Sequence, residues 1–247
     1  MKRAWFRIAT AVALAAALAF LTLPVVAIFV DSPPSELLAA LGEEGALDAL
    51  WLSLKTTAVA LAIIVVIGTP AAYLLATRRF RARALVITLV ELPLVLPPAV
   101  AGIALLAAIG PSLTFTTGAV VVALTFVASP FYLRQAQAAF ASVDRSWLEA
   151  SRTLGASQAR TFARVAIPTA APGLVAGGAL ALGRALGEFG ATLMFAGSFQ
   201  GVTQTVPLAI YERFATDFTG ALGLSAVLVC VSGALLLAVK FAFRAAY

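Results

Sequence analysis

Long apolar stretches broken by short charged segments dominate this chain. No charged residue falls between Arg7 and Asp31 or between Lys55 and Arg78, and from Ala84 to Leu133 only Glu91 is charged. Another uncharged run separates Asp217 from Lys240. A helix of ~20 apolar residues crosses the ~30 Å hydrocarbon layer of a bilayer. The stretch after Ala84 is too long for one crossing, and Gly110-Pro111 divides it. The pattern predicts an all-α, polytopic membrane protein with about six transmembrane helices in a single domain over 1–247. The spans are expected at about 8–30, 56–77, 84–109, 116–138, 168–195 and 218–239, with a polar segment over 139–167 between the fourth and fifth.

Composition agrees. The chain is 62% hydrophobic and 11% charged, outside the usual range of soluble domains. Its net charge of +6 raises the question of nucleic acid. The basic residues, however, sit in short segments between spans rather than on one binding face. Lys2, Arg3 and Arg7 precede the first span, and Arg78, Arg79, Arg81 and Arg83 separate the second and third. Arg134, Arg145, Arg152, Arg160 and Arg164 lie between the fourth and fifth, and Lys240 and Arg244 follow the sixth. Six spans place these four regions on one side, which the positive-inside rule makes cytoplasmic, together with both termini. The opposite segments carry Asp31, Glu36, Glu43, Glu44 and Asp48, then Glu212 and Asp217. The partner at this level is membrane lipid, with no nucleic acid. The basic start and first apolar run read as an uncleaved signal-anchor, because the run is long and no small-x-small cleavage site follows it. Cys230 has no second cysteine to pair with, and the chain contains no histidine, so neither a disulfide nor a His-ligated metal is expected.

The segment Glu149 to Pro168 is the most distinctive. Glu149-Ala150-Ser151 predicts a short helix, Gly155 its stop, and Pro168 the opening of the next helix. Helical spacing puts Trp147, Ala150/Ser151 and Leu154 on one face, with Arg145, Glu149 and Arg152 elsewhere. Such a helix between two spans suits docking onto a soluble partner. Glu91, Arg184 and Glu188 are charges deep in predicted spans. Glu91, ~10 Å into the third, must face a bundle interior, a cavity or an arginine, or else pair with Arg81 or Arg83 near the interface. Pro93, Pro97 and Pro98 follow it and kink its helix. Arg184 and Glu188 stand four apart, where they either neutralise each other or leave Arg184 beside an anion route. Gly173/Gly177 and Gly183/Gly187 have the spacing that lets membrane helices approach closely. Ser198, Gln200, Thr203, Gln204 and Thr205 offer hydrogen bonds near the outer side.

Residues 149–168 resemble the EAA loop of binding-protein-dependent ABC importer permeases: E-A-A, three residues, G, nine residues, I-x-L-P. Glu149, Ala150, Gly155 and Pro168 match, while Ser151, Val165 and Ile167 are small or apolar replacements. The segments Glu91–Pro98, Gly183–Met194 and Thr203–Tyr211 are similar to those of molybdate permease subunits. The resemblance implies a type I ABC importer permease (MetI-like) fold in the cytoplasmic membrane of a prokaryote. It implies import of molybdate or the nearly isosteric tungstate, with sulfate or thiosulfate as the alternative cargo. The implied partners are a second permease copy, a cytoplasmic ABC ATPase dimer and an extracytoplasmic oxyanion-binding protein. Trp147, Glu149, Ala150, Ser151, Leu154, Gly155 and Pro168 would then couple to the ATPase, and Glu91, Arg184, Glu188 and Thr192 are candidates for the path. No catalytic residue, metal or cofactor is expected. The chain lacks a phosphate-binding loop, so ATP hydrolysis falls to a partner. An intramembrane enzyme or a secondary transporter are the competing classes, and only Glu91, Arg184 and Glu188 offer side-chain chemistry at membrane depth.

Overall fold

The computed structural model describes residues 2–31 and 39–246. Glu36 lies outside the described residues, as do the side chains of Lys2, Arg3, Asp31, Lys240 and Arg244. The described chain is helical, with no strand. Helix α1 (Lys2–Asp31) runs along the outside and meets the rest of the chain at the last helix. Helix α2 (Ala46–Thr77) starts about ten residues before the expected second span and carries Lys55 within it. Helices α3 (Arg83–Val95) and α4 (Pro98–Ile109) occupy the third apolar stretch, α5 (Thr117–Ala141) the fourth, and α6 (Arg145–Thr153) the polar segment. A long helix α7 (Gln158–Leu186) follows, then α8 (Gly190–Ala196), α9 (Val206–Phe214) and α10 (Phe218–Ala246).

The single helix expected over 84–109 is two helices, which meet at 118°. The cause is local. Leu96 precedes a proline and is extended, Pro97 is also extended, and Pro98 restarts the helix at a position where no N–H is needed. At ~1.5 Å per residue, each half is ~20 Å long or less, short of a full crossing. The fifth span also differs from expectation. Pro168 stands in the first turn of the α-helical segment Ile167–Leu186, as expected, but the chain is already helical from Gln158, so the rod begins before the proline. A wider π turn over Phe162–Ala166, in which the Ile167 N–H donates to the Phe162 carbonyl, immediately precedes the proline. Widening the turn relieves the clash that a proline ring makes with the carbonyl four residues earlier. At its far end α7 stops at Leu186, and α8 restarts after Gly187-Glu188-Phe189.

Helix α5 is the central rod, packed between α2 and α7. Its buried face, with Val120, Leu124, Val127, Tyr132 and Phe140, meets alanines of its neighbours, including Ala60, Ala72, Ala170, Ala181 and Ala185. Small partners let the backbones approach, the packing expected where lipid supplies no hydrophobic driving force between helices. Gly173 and Gly177 serve this contact: a Cβ on Gly173 would collide with the Ala139 Cβ, and one on Gly177 would lie 3.1 Å from the Gln135 Cβ. A Cβ on Gly183 would meet nothing within 4 Å among the described residues, and one on Gly187 would touch only the Gly183 carbonyl of its own segment at 3.6 Å. The first pair therefore packs helices within the bundle and the second does not. Between the spans, the Tyr132 hydroxyl bonds the Thr69 hydroxyl at 2.6 Å, satisfying both in a buried site.

The bundle has two chemically distinct ends. Arg78 donates to Gln158 Oε1 at 3.4 Å and Arg83 Nε to the Leu75 carbonyl at 2.9 Å, so segments 78–83 and 145–164 gather at one end. Glu43, held by Arg213, and Thr117, bonded to the Val202 carbonyl at 2.9 Å, mark the other.

Candidate coupling surface and membrane charge pairs

Helix α6 is defined at both ends by its own sequence. Asp144 caps it: the Ser146 backbone N–H lies 2.9 Å from Oδ1, and this bond holds the carboxyl below the ordinary aspartate range. Gly155 ends it at φ +84°, where a side chain would be strained. The Gly155 N–H bonds the Arg152 carbonyl at 2.9 Å and the Ala156 N–H the Ser151 carbonyl at 3.1 Å, a Schellman closure. Ser157 then caps the start of α7, accepting from the Arg160 N–H at 3.3 Å.

The helix has an inner and an outer side. Leu148 is 7% exposed and joins the main core with Val143 and Phe140. The Ser151 hydroxyl bonds the buried Thr161 hydroxyl at 3.0 Å. Trp147 and Leu154 face outward, 56% and 88% exposed, with Ala150, Glu149 and Arg152 also exposed. The expected face therefore divides: Trp147, Ala150 and Leu154 form the outer edge, whereas Ser151 turns inward. Its hydroxyl, absent from the alanine of the E-A-A pattern, pins α6 to α7. Beneath lies an aromatic cluster of Tyr73, Phe140 and Phe162, with ring centroids 4.8–6.1 Å apart, which joins α2, α5 and the π turn.

The membrane-depth charges form two separate pairs. Glu91 meets neither Arg81 nor Arg83 but Arg134 of α5, at 3.4 Å, with both side chains well exposed in the single chain. Arg134 is thus no loop charge, since it lies within α5, two turns before its end at Ala141. Arg184 contacts Glu188 at 2.5 Å, and Glu188 is 1% exposed. The other carboxylate oxygen of Glu188 accepts the Ala191 N–H at 2.7 Å, so it also caps α8. Thr192, one turn on, is fully buried, and its hydroxyl has no hydrogen-bond partner among the described residues. No ion pair joins the Glu91 and Glu188 sets among the described residues. Their helices nonetheless meet. Cβ atoms on Gly190 and Gly102 would lie 2.8 Å from the Pro98 Cβ and 2.6 Å from the Met194 Cβ, so α8 packs tightly across α4. Arg184 lines an apolar groove of about 940 Å³ between α5, α7 and α10, together with Gln135, Phe131, Gly183 and Phe241.

At the other end, Thr203 is buried, accepting from the Phe199 N–H at 2.9 Å. Gln204 donates to Glu212 at 2.5 Å. Both satisfy the local loop. Arg213 bonds the Glu43 carboxylate and, at 3.1 Å, the Glu44 carbonyl. This end is therefore not purely acidic, and the lone arginine beside Glu212 is the signal in the sequence that marks the difference.

Comparison with known proteins identifies relatives of this sequence and fold. The chain is 40% identical over 237 residues to the molybdenum transport system permease protein ModB of Mycobacterium tuberculosis, covering 91% of this chain and 90% of that one. A bacterial ABC transporter that imports the acidic polysaccharide alginate superposes with a TM-score of 0.75 at 16% identity, over 98% of this chain and 96% of that one. The MetNI methionine ABC transporter, in an inward-facing form, gives a TM-score of 0.68 at 21% identity, over 81% and 95%. Residues 68–246 match the family described as the binding-protein-dependent transport system inner membrane component. The chain belongs to that family, the multi-pass and non-catalytic permease subunits of ABC importers, which work with ATPase and substrate-binding partners.

Proposed function

We propose that this chain is the membrane subunit of an ATP-driven importer of molybdate, with tungstate passing by the same route. It works as a homodimer, with both termini and α6 on the cytoplasmic side. The cargo reading rests on the 40% identity to a molybdenum permease over nine-tenths of the chain. The coupling reading rests on one observation: α6 presents Trp147 and Leu154 outward at the basic end while Leu148 and Ser151 lock its inner side to the bundle.

That arrangement suits a lever. Force applied to the outer edge of α6 passes through the Ser151–Thr161 bond and the Gly155 turn into α7, and α7 is keyed to α5 at Gly173 and Gly177. Rocking these rods together is the rigid-body form of alternating access. A second copy across the groove would enclose Gln135 and Arg184 in a shared path. Glu188 keeps the Arg184 site near neutrality, so a dianion meets donor groups without a deep electrostatic trap. At the outer end, Arg213 offsets the negative field of Glu43.

The test is transport in proteoliposomes carrying the permease, ATPase and binding protein. Gly155→Leu and Glu149→Lys are each expected to lower ATP-driven molybdate uptake by about tenfold or more, the scale of a lost 1.4 kcal/mol interaction. Membrane insertion remains intact. Uptake and ATPase co-purification unchanged in both variants would reject the coupling role, and sulfate uptake unaffected by molybdate would reject the cargo.

A further inference from the structure

At the basic end, a recess of about 230 Å³ lies between the end of α2, helix α6 and the first turn of α7, lined by Tyr73, Leu74, Thr77, Arg78, Arg152 and Gln158. Two exposed arginines from different elements therefore border one small space. Among the described residues, neither Arg78 nor Arg152 has a carboxylate within ion-pair distance, and Arg78 reaches only the Gln158 amide oxygen, at 3.4 Å. The acidic side chain on α6, Glu149, lines a neighbouring cavity together with Arg145 and Arg152, and forms no ion pair with either among the described residues. Like charges that border one recess repel, and an anion between them reverses the sign of that interaction. Guanidinium is also the group best shaped to bond a tetrahedral oxyanion with two parallel donors. The recess is smaller than the roughly 300–1,000 Å³ of ordinary small-molecule pockets, a size for one such group.

We propose that Arg78 and Arg152, with Gln158, bind a single tetrahedral oxyanion, either a lipid headgroup phosphate or a free oxyanion, and thereby clamp α6 to the end of α2. Binding there stiffens the helix; that this would tune coupling rests on the role of α6 proposed above, while the site itself does not.

The test uses the full chain in lipid nanodiscs, reading hydrogen exchange of the Arg145–Thr153 amides. Discs of phosphatidylcholine alone are compared with discs containing phosphatidylglycerol, and with phosphatidylcholine discs given sodium phosphate or sodium molybdate. Exchange is expected to slow about tenfold when the site fills, the effect of a net gain near 1.4 kcal/mol. Slowing by phosphatidylglycerol alone identifies the headgroup, and slowing by the salts in neutral discs identifies a free oxyanion. The variant Arg78→Gln/Arg152→Gln should lose the response, whereas Arg160→Gln/Arg164→Gln, which removes the same charge from the same end, should keep it. If the double variant fails to insert, Arg152→Gln alone gives the same readout. No slowing in any disc, or equal loss in both double variants, overturns the site. Because the assay contains no ATPase and no binding protein, failure here leaves the coupling reading standing, and the transport test can fail without touching this one.

Discussion

Glu188 shows how one residue can serve several demands at membrane depth. Its carboxylate is buried, contacts Arg184 and caps α8 through the Ala191 N–H. Removing Arg184 would leave that charge uncompensated, which in buried pairs costs roughly 3–5 kcal/mol. Arg184→Ala should therefore lower thermal stability in detergent, and adding Glu188→Gln, which keeps an acceptor for the Ala191 N–H but removes the charge, should restore much of it. An Arg184→Ala protein that melts like the parent would show that the pair has no structural role. The i,i+4 spacing is readable in the sequence, because it is a local property of one helix. The partner of Glu91 is not: Arg134 lies 43 positions away on another rod, and only helix packing brings the two within 3.4 Å.

At the scale of elements, glycine position separates packing from open space. Gly173→Leu would drive a side chain into Ala139, and such overpacking typically costs 1–3 kcal/mol with displacement of neighbouring backbone. Gly178 has nothing within 4 Å of a built Cβ, so Gly178→Ala should be tolerated. Comparing folded yield and melting temperature of the two variants checks this, and equal behaviour would contradict the α5–α7 contact. Helix α6 is legible in the sequence because a glycine stop and flanking polar residues are short-range signals. Its true inner face is not, since the Ser151 side chain turns toward Thr161 only once α7 has folded back beside it. The bend at Leu96–Pro97 exceeds what three prolines alone announce; proline marks a break without setting the angle at which the halves rejoin.

For the whole molecule, segregation of charge is the organising feature. The arginines of 78–83 and 145–164 gather at one end, and Glu43 with Arg213 sits at the other. In a background lacking Cys230, a cysteine at the outward-facing Leu154 should react with an impermeant maleimide only from the cytoplasmic side, and one at Gln200 only from the opposite side. Reaction of position 154 from outside the cell would invert the topology and remove α6 from reach of any cytoplasmic ATPase. The aromatic cluster of Tyr73, Phe140 and Phe162 binds three long helices just beneath α6, so a push at this end is shared among them.

Hydropathy, charge segregation and helix punctuation determined the class of this protein, the approximate places of its long apolar helices and the existence of a short helix in the polar segment after α5. These are sums over neighbouring residues, and the chain carries them wherever it goes. Tertiary structure alone decided that α8 lies across α4, that Glu91 finds Arg134, that Ser151 faces inward and that two arginines border one recess. Each depends on side chains far apart in the chain, or on separate helices, arriving at the same point, and that is set by how helices of fixed shape fit together.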